Sequence, residues 1–349
     1  MTKAAELAKM GEVLTNGQIG GRRNLIINGA MQVSERDTSQ GGITSSGYYT
    51  LDRFKTEISS AGTWSNSQSS TSPDGFSYSL KFDCTTADGS LSAGNYLLLS
   101  QYIEGQNLQH LKKGTSDAEA LTLSFHVRSN KTGTYIVEFY DSDNSRSISK
   151  SYTISSADTW EKKTITIDGD TSGAFGADNG GSLGIFFYLA AGSNFTSGTL
   201  NTSWGSRTLA NIAVGQVNLA DNTSNEWYIT GVQLEVGRKE TIFEHTSQGE
   251  MERLCQRYFF KTSAIEDYPA FNYANYGISS MPLAVHMRAN PTVTDLTGST
   301  YYEAGSARSY SPSSITGRTD WVSFRGTVSG GTSGYAGTMY PRFKADADI

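Results

Sequence analysis

LTLSFHVRS, residues 121–129, is the stretch whose reading decides the fold. Leu121, Leu123, Phe125 and Val127 alternate with Thr122, Ser124, His126 and Arg128, and side chains take opposite faces at a period of two only in an extended strand. One face therefore meets a core and the other meets water, the pattern of an antiparallel sheet. His126 is expected on the wet face. FSYSLKFDC (76–84) puts Phe76, Tyr78, Leu80, Phe82 and Cys84 on one side, and SLGIFFYLA (182–190) does the same with Leu183, Ile185, Phe187 and Leu189.

Outward from these, the same period marks further strands at 25–33, 50–59, 96–103, 134–140, 147–154, 162–168, 211–217 and 227–236. In the last, Trp227 and Ile229 are out of phase with Val232, Leu234 and Val236, which predicts a bulge near Gly231. Short strands separated by Gly, Ser, Asn and Asp turns, with no alternating helices, exclude a parallel α/β sheet. Their long connections favour an all-β antiparallel jelly-roll sandwich over a meander.

Two segments break the pattern. In TKAAELAKMGEVL (2–14), Leu7, Met10 and Leu14 recur at helical spacing behind a Thr2 cap, with Gly11 as a weak point, and Gly17, Gly20 and Gly21 follow as a hinge. So short a helix needs a partner surface, on sister chains, another protein or its own domain. At 247–256, Ser247 and Glu250 form a capping box before Met251, Leu254 and Cys255, predicting a connector helix at 248–256. Beyond it YFFKTS, SSMPLAVHMR, TVTDL, DWVSFRG and YPRFKAD read as the short strands of a smaller β domain. The expected organisation is an attachment segment at 1–22, a sandwich at 23–247, and a connector helix with a C-terminal β domain at 248–349.

Composition narrows the function. The 349 residues carry a formal charge of −6, which argues against nucleic acid or an anionic membrane as partner. Hydrophobic residues at 37% and aromatics at 11% supply enough apolar surface to oppose disorder. No apolar run approaches the roughly 18 residues of a membrane span, and residues 1–20 lack the apolar centre of a secretory signal. Cys84 and Cys255 are far apart with no CxxC, so neither a disulfide framework nor a zinc site is indicated. Cys84 reads as a buried thiol.

Chemistry-bearing patterns are few. The carboxylate pairs Asp141/Asp143, Asp168/Asp170 and Glu266/Asp267 could serve acid–base hydrolysis of a glycosidic bond, but the first two sit where hairpin or strand-end turns belong and read as turn chemistry. His110, His126, His245 and His286 form no HExxH or i, i+4 pair, and no phosphate-cradling glycine loop or twelve-residue calcium loop occurs. No catalytic residue, metal or cofactor is expected. Aromatic residues beside loops are the better signal, since sugar rings stack on flat apolar faces. Tyr48, Tyr49 and Trp64 lie in the first domain, and Tyr268, Phe271, Tyr273, Tyr276, Tyr301, Tyr302, Tyr310 and Trp321 in the second. Either a ligand platform or a core and subunit interface accounts for such rings; the candidate glycan contacts are Tyr273, Tyr276, Tyr301, Tyr302 and Trp321.

Several segments taken together resemble a family of phage tail-fibre and related virion proteins: RNLIINGAMQV (23–33), YTLDRF (49–54), ITGVQLEVG (229–237), FEH (243–245), LCQRYF (254–259), MRANPTVT (287–294) and ADADI (345–349). The resemblance implies a jelly roll similar to carbohydrate-binding modules, an N-terminal attachment segment, a distal C-terminal part and a homotrimer. On that footing the chain is expected to be a non-enzymatic adhesin on the particle surface, assembled in the host cytoplasm. It would join other virion proteins through its N-terminal segment and contact host surface glycan. A purely structural head or tail protein is the alternative, and a glycan depolymerase a third.

Overall fold

In a computed structural model the chain divides into two compact units, Met1–Ser247 and Gln248–Ile349, described at Lys3 and residues 22–262, 268–273, 275–296, 299–304 and 306–349. The helix expected at 2–14, apart from Lys3, and the glycine hinge after it lie outside the described residues.

The first unit is an antiparallel jelly-roll sandwich of two six-stranded sheets. With strands numbered in chain order, the first sheet runs β1 (Ser39–Ile43), β3 (Thr63–Ser69), β4 (Ser79–Thr86), β12 (Glu226–Val236), β6 (Leu121–Ser129), β9 (Glu161–Ile167). The second runs β11 (Gly205–Ser206), β8 (Arg146–Ile154), β7 (Gly133–Asp141), β10 (Gly181–Ala191), β5 (Tyr96–Glu104), β2 (Lys55–Ser59). The inner faces close on one core in which rings meet edge to face: Phe82 on Trp227 at 6.0 Å and Phe125 on Phe187 at 5.2 Å. The bulge expected in β12 is present, with the register slipping between Thr230 and Gln233 where Gly231 takes φ +63°. A Cβ there would come within 2.6 Å of the Phe76 ring, so space as well as backbone demands glycine.

Three expectations are corrected and two strands are added. Residues 25–33 and 211–217 form no strand, whereas β1 and β3 were not anticipated. The 25–33 segment bends through left-handed residues Asn28 and Met31 and is held by side chains instead of a ladder. Asn24 Oδ1 accepts from Ile26 N and Leu234 N, both at 3.0 Å, and Asn28 Oδ1 accepts from Gln32 N and Val33 N at 2.9 and 3.0 Å. His126 is half-buried, not on a wet face, because residues 238–247 return across β6 and β12. Phe243 and His245 pack on Phe76, which covers His126 at 5.3 Å.

The returning segment explains most of the resemblance motifs. Gln233 and Glu235 of ITGVQLEVG accept the backbone N–H groups of Glu244 and Thr241, each at 2.8 Å. Glu244 of FEH in turn accepts from Arg23 N and Asn24 N at 2.8 and 2.9 Å, and Asn28 Nδ2 donates to the Asp52 carbonyl of YTLDRF at 3.0 Å. At Gly29 a Cβ would fall 2.0 Å from the Val232 carbonyl oxygen. Four motifs distant in sequence thus form one hydrogen-bonded lock.

The second unit begins with a helix at Gln248–Gln256. Its strands are β13 (Phe259–Lys261), β14 (Tyr268–Tyr273), β15 (Tyr276–Pro282), β16 (Thr292–Asp295), β17 (Thr300–Glu303), β18 (Ser306–Gly317), β19 (Trp321–Ser329), β20 (Ala336–Tyr340) and β21 (Phe343–Asp346). β14-β15-β19-β18-β17-β20 close into a barrel, and β13-β21-β16 make a three-stranded sheet. LCQRYF, MRANPTVT and ADADI meet there: Phe259 and Thr292 both pair with Asp346, and Arg288 Nε donates to the Ala347 carbonyl at 2.8 Å. Strands β14, β17, β18 and β20 escaped the sequence reading because a small barrel fills its interior from alternate positions only, leaving segments such as SARSYSPSSITG nearly all polar. The strand expected across SSMPLAVHMR stops at Pro282; Leu283 N and Met287 N then bond the loop carbonyls of Asp320 and Thr319, both at 2.8 Å.

Candidate functional site

Three neighbouring strands of the second sheet are apolar on both faces. Leu97, Leu99, Val137, Phe139, Ile185 and Phe187 enter the core, yet the opposite positions carry Tyr96, Leu98, Tyr102, Ile136, Tyr140, Phe186 and Tyr188. A sheet face of that composition is covered by protein or serves as a binding surface. Both occur here. The excursion between β10 and β12 covers one half: Phe195 meets Tyr96 edge to face at 5.5 Å, Ser149 Oγ donates to the Ile212 carbonyl at 2.8 Å, and Ile136 N donates to Gln216 Oε1 at 2.8 Å.

The other half forms a shallow aromatic trough. Gly184 pairs with Tyr102 on one side and Tyr140 on the other, and the Phe186 ring folds over it, since a Cβ at Gly184 would lie 2.6 Å from Phe186 Cε1. Phe186 is the floor. The half-buried rings of Tyr102 and Tyr140 are the walls, with centroids 5.4 and 5.9 Å from it. Above Tyr140 lies the Arg207 guanidinium, 4.4 Å from the ring centroid. It is held in plane by two bonds to the fully buried Glu138 carboxylate, Nε to Oε1 at 2.6 Å and Nη2 to Oε2 at 3.0 Å, with the Tyr188 hydroxyl donating to Oε2 at 2.9 Å. At the β2 side, Ser100 Oγ donates to Glu57 Oε1 at 2.6 Å.

Electrostatics keep these groups in fixed states. Burial, then the charge of Glu57, pushes the Tyr102 phenol far above its ordinary range, so it stays protonated. Burial alone would lower Arg207, but its bonds to Glu138 raise it further above the usual guanidinium value. Both Glu138 oxygens are engaged, Oε1 by Arg207 and Oε2 by Arg207 and Tyr188. What the trough offers is apolar ring surface beside rigid N–H donors, the combination that receives a sugar ring and its hydroxyls.

The residues singled out from sequence lie elsewhere. Trp64, taken as a loop aromatic, is fully buried in β3, and its Nε1 donates to the Ala61 carbonyl at 2.7 Å. Tyr49 packs half-buried against the core, and Tyr48 lies beneath Arg36 and Lys55 at 5.1 and 5.8 Å. Tyr301 is corrected outright: at 0% exposure it points into the barrel among Met339, Val322 and Phe324 and offers no face to a ligand. Tyr273 is 64% exposed and pairs across the β14–β15 hairpin with Tyr276, whose ring carries Arg325 at 4.4 Å. Tyr302 meets Tyr340 edge to face at 5.1 Å. Trp321 is exposed at the far end of β19, opposite Pro282. The structure therefore joins Tyr273 to Tyr276 but does not gather the five residues into one site.

Tyr102, Tyr140, Phe186, Glu138 and Arg207 were missed. A signal existed: YLLLSQYIE, TYIVEFYD and SLGIFFYLA place aromatics in both alternation phases, unlike LTLSFHVRS. Asp141 and Asp170, read as separate turn residues, both bond Lys113 Nζ, at 2.6 and 3.1 Å. Asp141 Oδ1 also accepts from Asp143 N and Asn144 N, so its turn role stands as well. Glu266 and Asp267 lie outside the described residues.

No protein-family model and no curated protein matches the sequence. Among solved structures, the enzymatically active domain of tailspike protein 4 from bacteriophage CBA120 is similar at 14% identity and a TM-score of 0.30, over 61% of this chain and 21% of that one. A family 11 carbohydrate-binding module from Clostridium thermocellum, in complex with a β-1,3-1,4-mixed-linked tetrasaccharide, matches at 12% identity and a TM-score of 0.30, over 58% of this chain and 98% of its own. TmCBM61 in complex with β-1,4-galactotriose matches at 12% identity and a TM-score of 0.29, over 62% and 100%.

Proposed function

We propose that this chain is a non-enzymatic glycan-binding protein of a phage virion appendage, acting as a homotrimer that contacts host surface saccharide. The observation that carries the binding reading is the trough of Tyr102, Phe186 and Tyr140 under Arg207. The virion setting, the N-terminal attachment and the trimer rest on the sequence motifs shared with tail-fibre proteins. Exposed Tyr273, Tyr302 and Trp321 on the barrel would add a second contact surface. Each stacked ring contributes on the order of 1 kcal/mol, so adsorption would depend on several chains engaging together.

A purely structural virion role is the second reading. It is favoured by the fact that the shared motifs serve the hydrogen-bonded lock and the three-stranded sheet rather than the trough. A glycan array probed with the full chain separates the two. Retention that falls about tenfold on Tyr102→Ala with Tyr140→Ala supports binding, and an empty array supports the structural role. Release of reducing sugar from host polysaccharide would overturn the non-enzymatic assignment.

A further inference from the structure

We infer that the trough takes an uncharged saccharide, gripped by ring stacking and by the in-plane N–H groups of Arg207, and rejects uronate or sialate-type chains. The inference rests on the glycan-binding reading. It follows from where the charges of this face lie and what each already bonds. The Arg207 guanidinium lies over the Tyr140 wall at 4.4 Å, and its charge is offset by Glu138 through two hydrogen bonds. With Nε and one Nη2 hydrogen engaged, the two Nη1 hydrogens and the second Nη2 hydrogen remain on the guanidinium edge, and the stack on Tyr140 fixes their plane.

The remaining ionic groups add no net attraction for an anion. Lys55 on β2 leans over the Tyr48 ring at 5.8 Å and has Glu57 two positions along its own strand. Glu104, at the end of β5, is buried and accepts from Gln106 Nε2 at 2.6 Å. Arg53, only 1% exposed, donates to the Tyr102 carbonyl at 2.7 Å from beneath and presents nothing to solvent. Among the described residues, the outward cations Lys55 and Arg207 thus each have a carboxylate near them, Glu57 two positions from Lys55 and Glu138 bonded to Arg207. An anionic sugar entering the trough would meet no cation lacking a carboxylate beside it, whereas neutral hydroxyls can accept from Arg207 without disturbing the Glu138 pair.

The test uses the full chain on an array of neutral hexose polymers and polyuronate or sialylated chains, read at 50 and 500 mM NaCl. Neutral glycans should be retained with less than a twofold change between the two salts, and Arg207→Lys, which keeps the charge but loses the planar fork, should weaken retention about tenfold while thermal unfolding shows the fold intact. Retention confined to acidic glycans and falling more than tenfold at high salt, yet still lost with Tyr102→Ala and Tyr140→Ala, overturns the neutral-ligand inference and leaves the glycan-binding reading standing. Should no saccharide of either class be retained, that reading fails and the inference with it.

Discussion

The ammonium of Lys113 lies 2.6 Å from Asp141 Oδ2, deep in the first unit and 4% exposed. Around the same nitrogen stand Asp170 Oδ2 at 3.1 Å and the carbonyl oxygens of Ser172 and Gly173 at 2.8 and 2.7 Å. Arg146 completes the set through two bonds to Asp170, at 2.7 and 2.9 Å. One lysine therefore ties the turn after β7 to the loop after β9.

Removing that lysine takes a cation from two buried carboxylates and leaves Asp170 with Arg146 alone. Lys113→Ala is expected to cost about 3–5 kcal/mol, which for a unit of this size lowers Tm by roughly 10 °C. Adding Asp141→Asn to the variant should recover part of the loss, because one of the stranded charges is gone. Thermal unfolding of the single and double variants checks both, and additive losses would show that the two groups do not act together.

Acid should loosen the same joint. Burial alone would raise the Asp170 carboxyl, but the bonds from Arg146 and Lys113 hold it below its ordinary value of 3.8. A carboxyl depressed in the folded state adds stability that is complete above its unfolded value and vanishes as pH falls through the folded one. Tm is accordingly expected to hold steady from pH 8 to about 5 and to decline below about pH 4, with a shallower decline in Asp170→Asn. Glu226, which burial would raise, is held low by Lys81 and falls in the same window.

The trough depends on an absent side chain. In Gly184→Ala the new methyl would meet Phe186 Cε1 at 2.6 Å and Tyr102 Cε1 at 3.0 Å, so the floor ring must swing away from the strand. Saccharide retention is expected to fall about tenfold as the walls lose the ring that spaces them, together with a drop in Tm, since Gly184 and Phe186 are both buried and the methyl has no room. Unchanged retention would mean that Phe186 does not shape the site.

Both cysteines are buried thiols. Burial, followed by the charges of Asp83 and Asp221, pushes Cys84 up to about 11, which leaves almost no thiolate at neutral pH. A disulfide-exchange reagent is expected to find no reactive group in the native chain and two after denaturation; zero after denaturation would reveal a bridge.

Tyr273 and Tyr276 lie on the outside of the barrel hairpin, so replacing both by alanine should cost less than about 1 kcal/mol, in line with loss of an exposed cation–π contact to Arg325. On the proposed homotrimeric, glycan-binding reading, light scattering should give the same mass as the unaltered chain while retention on host surface glycan falls. A variant that loses its oligomeric state would identify those rings as a subunit interface.

Alternation along the chain was enough to determine the sandwich, because a period-two pattern such as Leu121, Leu123, Phe125 and Val127 admits only one way of burying its apolar atoms. The β12 bulge was legible for the same reason: Trp227 and Ile229 cannot share the core with Val232, Leu234 and Val236 unless one residue is added to the count. The sequence also marked the helix at Gln248–Gln256 through its change of period. Tertiary structure alone decided what lies over each outer face. His126 was covered by Phe76 of a distant loop, itself backed by Phe243 and His245, Tyr301 turned inward in a barrel whose closure no local pattern announces, and Tyr102, Tyr140 and Arg207 became neighbours only through the pairing of β5, β10, β7 and β8. Local propensity reports how a strand divides its two faces; which long-range partner then covers one of them depends on contacts whose distance in sequence leaves no periodic trace.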